Sequence, residues 1–437
     1  MTSLHSNTGI SVLVTGANGL IGQAVVRYLL KEGYTVRALV HRACNLKSEG
    51  ALVVIQGSIT DAECMKRAVQ GATYVVHLAA RKSDEADSYE VNVGGARALL
   101  EAAKIAEVKR IMNISTQSVR LPRHGKYAAS KAAADNVLQS SSIPITTLRL
   151  SVVYGERDEG IFGSLFTFAA LPVVPVIGHG EVVFNPIHKD DAAIGIERLM
   201  RLPTAEGKTY EAGGREAWTF NELLRECGRR QGRRQLRLVH IPIPIAMMMA
   251  LVMRILPKPP ITVSNVLGSA AIIQMDPSEF LRDAGLSPLS VKEGLDRMKV
   301  ETQAEREART LLRYAVPAYQ GTYPDKETTK RMLLALDRSG INHALDDRVV
   351  RSRWLLGGLD AITALLYPHC ILRQKLLIAA AIGECTPNTA AALLPKNRSW
   401  LQILLLCVRA MIRTVMKFCT GIPMLLLPSF FRRNAGL

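Results

Sequence analysis

The chain has 437 residues, 48% of them apolar and 21% charged, which excludes a disordered chain and leaves enough apolar material for two or three units. Its net charge of +17 calls for an anionic partner, such as anionic lipid or a phosphorylated ligand. Nucleic acid is the class least supported, because aromatic residues make up only 5% and no basic arm or base-stacking platform is evident.

Residues 1–9 carry neither a basic nor an apolar leader pattern, so no secretory signal and a cytoplasmic setting are expected. Seven scattered cysteines with no C-x-x-C pair read as reduced thiols and fit that setting. An apolar strand over 12–15 then runs into Gly16-Ala17-Asn18-Gly19-Leu20-Ile21-Gly22, and a helical pattern follows over 23–31. Gly16 suits a tight turn, Gly19 a close backbone approach to a pyrophosphate, and Gly22 close packing of helix on strand. Asn18, Leu20 and Ile21 complete the turn, where helix-start N–H groups face the phosphates of a dinucleotide.

A second strand over 34–40 ends at His41-Arg42. An acidic residue at this point of an open α/β sheet binds the ribose hydroxyl of NAD, whereas a basic one accommodates the 2′-phosphate of NADP. No carboxylate stands here, so His41 and Arg42 favour NADP, with NAD the alternative and a solvated surface Arg42 the plain reading. Residues 52–56 read as a third strand, followed by Ser58 and Ile59 near the adenine and by Asp61 as a helix cap. A fourth strand over 74–78 ends at Leu78-Ala79-Ala80, small enough to leave room for a cofactor. A helix over 91–103 carries Asn92, and a strand over 110–114 ends at Ser115-Thr116. Strands alternating with helices at this spacing predict a parallel sheet covered on both faces.

Tyr127 and Lys131 lie four apart and share one helical face. A phenol is a poor acid or base near its reference pKa of ~10, and a neighbouring ammonium favours the phenolate. The expectation is therefore a lowered Tyr127 pKa. Taken alone, Y-x-x-x-K is more often a surface tyrosine and a surface lysine.

In combination, T-G-x-x-G-x-x-G, the H-L-A-A strand end, Asn92, Ser115-Thr116 and Tyr127/Lys131 resemble the extended or atypical short-chain dehydrogenase/reductase family, also called the NAD-dependent epimerase/dehydratase family. The resemblance implies that Tyr127 is the general acid/base, that Lys131 holds the nicotinamide ribose, and that Thr116 orients the substrate oxygen, with Ser115 in reserve. It extends through Arg149-Leu150-Ser151-Val152-Val153-Tyr154-Gly155, where Ser151 and Val152 line the nicotinamide end, to residues 175–193, 210–224 and 276–295. Gly57-Ser58, where much of the family has Gly-Asp, brings the chain near the branch holding the dehydrogenase-like accessory subunit of respiratory complex I. Members of the family often pair through the helices of Asn92 and Tyr127, so a homodimer is one of the oligomeric states left open.

His179 and His188 have no partners at metal-ligand spacing and read as structural, so no metal is expected. Asp190-Asp191 reads as a helix cap. The apolar run 241–253 is too short to span a bilayer, and reads either as core or as the lining of a lipophilic pocket. Beyond residue 301 the pattern is helical, at 301–313, 327–338, 350–366 and 371–382. The last acidic residue is Glu384, and the stretch 396–437 sets Arg409, Arg413 and Lys417 at spacings of four among apolar residues. That is the layout of a helix lying in an anionic membrane surface.

The fold class expected is α/β: a Rossmann doubly wound sheet over 9–155, remaining strands and a smaller substrate lobe over 156–300, and a mainly α-helical, basic and apolar extension over 301–437. The function expected is an NAD(P)-dependent oxidoreductase acting on a small molecule, lipophilic or sugar-linked, peripheral to the inner face of a membrane. The alternatives are a sugar epimerase or dehydratase, and a cofactor-binding structural or assembly protein without turnover.

Overall fold

A computed structural model of the chain describes residues 7, 9–41, 48–81, 87–121, 125–156, 160–169, 171, 173–231, 233, 235–253, 262–270, 274–298, 302–316, 319, 324–341, 345–346, 349–350, 353–366 and 370–383. The first half runs β1 (Ser11–Thr15), α1 (Leu20–Lys31), β2 (Thr35–Val40), β3 (Leu52–Gln56), α2 (Ala62–Val69), β4 (Tyr74–His77), a widened π turn (Glu90–Gly94), α3 (Gly95–Ile105), β5 (Arg110–Thr116), α4 (Lys126–Gln139) and β6 (Ile145–Leu150). It continues through β7 (Val153–Tyr154), α5 (Gly160–Ala169), β8 (Val173–Ile177), β9 (Val183–Phe184), β10 (Ile187–His188), α6 (Lys189–Arg201) and β11 (Thr209–Ala212). Then come β12 (Trp218–Thr219), α7 (Phe220–Arg230), β13 (Arg237–Ile241), α8 (Ile243–Met253), α9 (Val263–Ala270), α10 (Ser278–Asp283) and α11 (Val291–Arg297).

Seven of these strands form one sheet in the order β11-β6-β5-β4-β1-β2-β3, parallel at every pairing. This is the Rossmann order, with the direction of winding reversing between β1 and β4. Alternate side chains divide between the two faces, as the period of two requires. Val12, Val14, Val76, Met112 and Ile114 pack with α1 and α6. Leu13, Val75 and Ile111 pack with α2, α3 and α4.

Local chemistry sets the boundaries. Asp61 caps α2 by accepting from Glu63 N at 3.0 Å and Cys64 N at 3.2 Å. The helix expected over 91–103 instead opens with the π turn, whose extra backbone slack turns Asn92 inward. The cap of α6 is His188, whose Nδ1 accepts from Asp190 N at 3.3 Å. Asp190 and Asp191 therefore occupy the first turn, where the helix dipole favours negative charge. The buried Arg110 donates from Nη1 to the carbonyls of Leu199, Met200 and Leu202 at 3.0, 3.0 and 2.7 Å. It thereby fastens the start of β5 to the carbonyl end of α6.

A second apolar cluster holds the smaller lobe, with Phe162, Leu165, Val174, Leu223 and Leu295 at its centre. The chain divides into two compact units, Met1–Lys299 and Val300–Leu437. The second contains α12 (Gln303–Ala315), α13 (Lys326–Arg338), α14 (Arg353–Leu366) and α15 (Ile371–Ile382), packed around Leu311, Leu312, Met332, Leu356 and Leu376. Lys375 and Glu307 form a buried ion pair inside it, and Tyr314 Oη donates to Asp360 Oδ2 at 2.9 Å. No helix among the described residues is long and apolar enough to cross a membrane. Residues 396–437, which carry the expected membrane-surface helix, lie outside the described residues.

Candidate active site

The glycine turn sits at the carboxyl end of β1, where the winding reverses. Gly16 has φ +69°, and a Cβ there would lie 2.8 Å from Ala79 N and 2.9 Å from Ala79 Cα. A Cβ at Gly22 would lie 2.3 Å from Gly16 O and 2.8 Å from Ala17 Cα. Both positions are closed to any side chain, because the obstructing atoms are backbone. Gly19 is different: its Cβ would meet only Gly16 O, at 3.4 Å. Gly19 is the N-cap of α1 and gives no side-chain hydrogen bond to the helix start, so the first-turn N–H groups stay available to an anion. Asn18 is exposed at this end, and Leu20 and Ile21 are partly exposed. These residues fit a dinucleotide pyrophosphate.

A chain of hydrogen bonds links this turn to Tyr127. Thr15 Oγ1 contacts His77 Nδ1 at 2.9 Å and accepts from the backbone N–H groups of Leu78 and Ala79, each at 3.2 Å. That holds the Leu78-Ala79-Ala80 strand end against Gly16. Asn92 grips the next residue, accepting from Arg81 N at 2.7 Å and donating to Arg81 O at 3.2 Å. It also donates to Ser130 Oγ at 2.8 Å, and Ser130 Oγ donates to Tyr127 O at 2.8 Å. The role of Asn92 seen here is to fix the approach of α4 to the β4 loop.

Tyr127 and Lys131 both lie on α4. Lys131 is buried and its Nζ donates to Ile114 O at 3.0 Å. The phenol of Tyr127 is half-buried. Its pKa is pushed up to about 12, first by burial and then by the charge of Asp135. The shift is opposite to the one expected from the ammonium, because burial disfavours the phenolate and the Asp135 carboxylate repels it. Tyr127 thus keeps its phenol neutral at pH 7.

At the end of β5 the two hydroxyls separate. Ser115 Oγ is buried and donates to Asp135 Oδ2 at 2.5 Å, while Asn113 Nδ2 donates to Asp135 Oδ1 at 2.8 Å. Thr116 is half-buried at the strand end, its Oγ1 accepting from Ser118 N and donating to Ser118 Oγ, both at 3.3 Å. Asp135 escaped the sequence reading, although it stands one turn beyond Lys131 on the same helical face. His77 entered it only as the first residue of the H-L-A-A strand end, with no role of its own.

Other predicted contacts have structural partners. Ser58 Oγ lies 2.8 Å from Thr60 Oγ1, and Ile59 is a core residue lying over Gly95, where a Cβ would be 2.5 Å from Ile59 Cδ1. Ser151 Oγ accepts from Asn185 N at 3.1 Å, and Val152 O from Ile187 N at 3.0 Å, so both tie β6 to the smaller lobe. His41 is exposed just after β2; Arg42 lies outside the described residues. Among the described residues no cluster could hold a metal ion.

The buried His77 gives a test of this geometry. Burial, then the Lys131 ammonium, lower its pKa to about 3. A depressed histidine pKa means that acid protonates the unfolded chain first, so its contribution is complete above pH 6.5 and falls as pH drops toward 3. One pKa unit corresponds to about 1.4 kcal/mol, so lowering the pH from 6.5 to 5 should remove about 2 kcal/mol. Urea unfolding at both pH values should show this loss in the wild type and its absence in His77→Asn. An equal loss in both proteins would assign the acid sensitivity elsewhere.

Residues 12–213 match the family model described as the NAD dependent epimerase/dehydratase family. The chain is 29% identical over 237 residues to ceramide reductase of Caulobacter vibrioides, covering 53% of this chain and 74% of that protein. It is 24% identical over 240 residues to the mitochondrial NADH dehydrogenase (ubiquinone) 1 alpha subcomplex subunit 9 of Dictyostelium discoideum, covering 51% of this chain and 66% of that protein. Among solved structures, it is similar to a double mutant of dTDP-glucose 4,6-dehydratase from Streptomyces venezuelae with NAD bound. That likeness has 24% identity and a TM-score of 0.52 over 66% of this chain and 95% of the other, and it shows the fold.

Proposed function

We propose, from the premise that residues 12–213 belong to the NAD dependent epimerase/dehydratase family, that this protein is an NAD(P)-dependent oxidoreductase acting on a carbonyl or carbinol carbon. The observation that carries the reading is the path from Thr15, beside the glycine turn, by hydrogen bond to Ala79, along the backbone to Arg81, and by hydrogen bonds through Asn92 and Ser130 to Tyr127. It ties the glycine turn and Tyr127 to one end of the sheet.

Gly16, Asn18, Gly19, Leu20, Ile21 and Gly22 would hold the pyrophosphate, and Lys131 the ribose next to the nicotinamide. The nicotinamide supplies or takes up the hydride. Tyr127 Oη donates a proton to the substrate oxygen in reduction and takes it back in oxidation, with Thr116 Oγ1 orienting that oxygen. Desolvation around Tyr127 keeps the proton in place until the oxygen develops negative charge. His41 and Arg42 favour NADP over NAD. Titration of the full-length protein with NADPH and NADH, followed by nicotinamide fluorescence, should show tighter binding of NADPH. Tighter NADH binding would overturn the NADP assignment, and failure of both to bind would overturn the oxidoreductase reading.

A second reading, a cofactor-binding protein without turnover, is favoured by the likeness to a complex I subunit. In either reading the basic, apolar stretch 396–437 would rest on an anionic membrane surface on the cytoplasmic side. A lipophilic substrate, as the name of the Caulobacter relative suggests, fits that location.

A further inference from the structure

The helix α8 is apolar at every position from Ile243 to Met253. Such a helix is normally enclosed. Here Ala246 and Ala250 are buried, whereas Ile245, Met248, Leu251 and Val252 are 46%, 60%, 51% and 63% exposed. At roughly 100° per residue the buried and exposed sets lie on opposite sides of the helix. The small alanines pack inward, and the large side chains face out. The sequence reading offered core or pocket lining for this run; neither describes the outward face. The preceding strand also exposes an apolar side chain: Val239 is 52% exposed and follows the exposed Arg237 by two residues on the same side of β13.

We infer that the outward face of α8 docks on an anionic lipid bilayer, lying in the plane of the headgroups. Charge decides the occupant. From Cys227 to Met275 the sequence has no Asp or Glu and seven Arg or Lys residues. Arg229 and Arg230 are paired with Glu226, but Arg237 is exposed beside Val239, and Arg254 follows α8 directly in the sequence. A large apolar face in a stretch of sequence that carries cations and no carboxylate matches an interface of acyl chains and anionic headgroups. An exposed apolar patch of this kind marks an interaction surface, and the basic stretch sets the sign of the partner. This contact stands independently of the oxidoreductase reading and of residues 396–437.

The test is co-sedimentation of the full-length protein with vesicles of phosphatidylcholine alone and of phosphatidylcholine mixed with phosphatidylglycerol. The wild type should bind the mixed vesicles and bind the neutral ones more weakly. The double variant Met248→Glu/Val252→Glu should bind mixed vesicles at least tenfold more weakly, with unchanged circular dichroism, because both side chains already face outward. A second variant, Arg237→Glu, should weaken binding to the mixed vesicles only. Equal vesicle binding by wild type and double variant would overturn the proposal, as would no binding by the wild type. A wild-type dimer that the double variant converts to monomer in sedimentation velocity would assign the face to a second copy of the chain, and would overturn it too.

Discussion

Replacing Tyr127 with Phe should lower turnover about 10²- to 10⁴-fold while leaving nicotinamide nucleotide binding near the wild-type level. The substitution deletes one oxygen. The backbone carbonyl of Tyr127, which accepts from Ser130 Oγ at 2.8 Å, keeps its place, so α4 stays fixed by Asn92 and Ser130. Burial of the ring favours Phe as much as Tyr, and the fold should lose little stability. What disappears is the proposed proton donor, a phenol whose pKa of about 12 keeps it protonated and neutral at neutral pH. A deletion strain carrying the Tyr127→Phe gene should behave like the deletion itself, and the purified variant should still titrate with the nucleotide. Full complementation by this variant would favour the scaffold reading and remove Tyr127 from the chemistry.

The second large effect belongs to Gly22→Val. Its side chain would have to enter a space bounded by Gly16 O at 2.3 Å and Ala17 Cα at 2.8 Å. Neither atom can rotate away, so α1 must move off β1 and the turn must open. Overpacking of this kind costs about 1–3 kcal/mol, and displacement of the helix start should weaken nucleotide binding at least ~100-fold, equivalent to about 2.7 kcal/mol. Gly19→Ala separates the two consequences. Its Cβ meets only Gly16 O at 3.4 Å, so the thermal midpoint should hold while nucleotide affinity falls, because the methyl stands where the pyrophosphate approaches. Wild-type affinity in Gly19→Ala would mean that phosphates do not approach this backbone. Calorimetric titration and thermal unfolding of the same preparations supply both readouts.

Burial also gives the fold its internal polar order. Asp135 receives Ser115 and Asn113, His77 meets Thr15, and Arg110 crosses to three carbonyls at the end of α6. A polar group removed from water costs free energy unless it finds a partner. The contacts of Asp135 and His77 therefore fix the spacing of helices against the sheet near the end that carries the candidate site, and Arg110 fixes it at the opposite end of β5. Ser115, engaged by Asp135, and Thr116, at the strand end, show how adjacent hydroxyls on one strand acquire different surroundings.

The sequence by itself determined the order of strands and helices in the first unit, the parallel sheet and the glycine turn. These depend on period, on β-branched runs and on positions where only glycine has room, and all of them are legible within a window of a few residues. It also put Tyr127 and Lys131 on one helix and Asp61 at a cap, because helical spacing and capping are local. Tertiary structure alone decided the direction of the Tyr127 pKa, the partners of His77 and Asp135, the capping of α6 by His188 and the outward face of α8. Each of these turns on how deeply a group is buried and on which charges from distant segments come near it. Folding fixes both quantities only after the chain has brought β1, β4, β5 and α4 together.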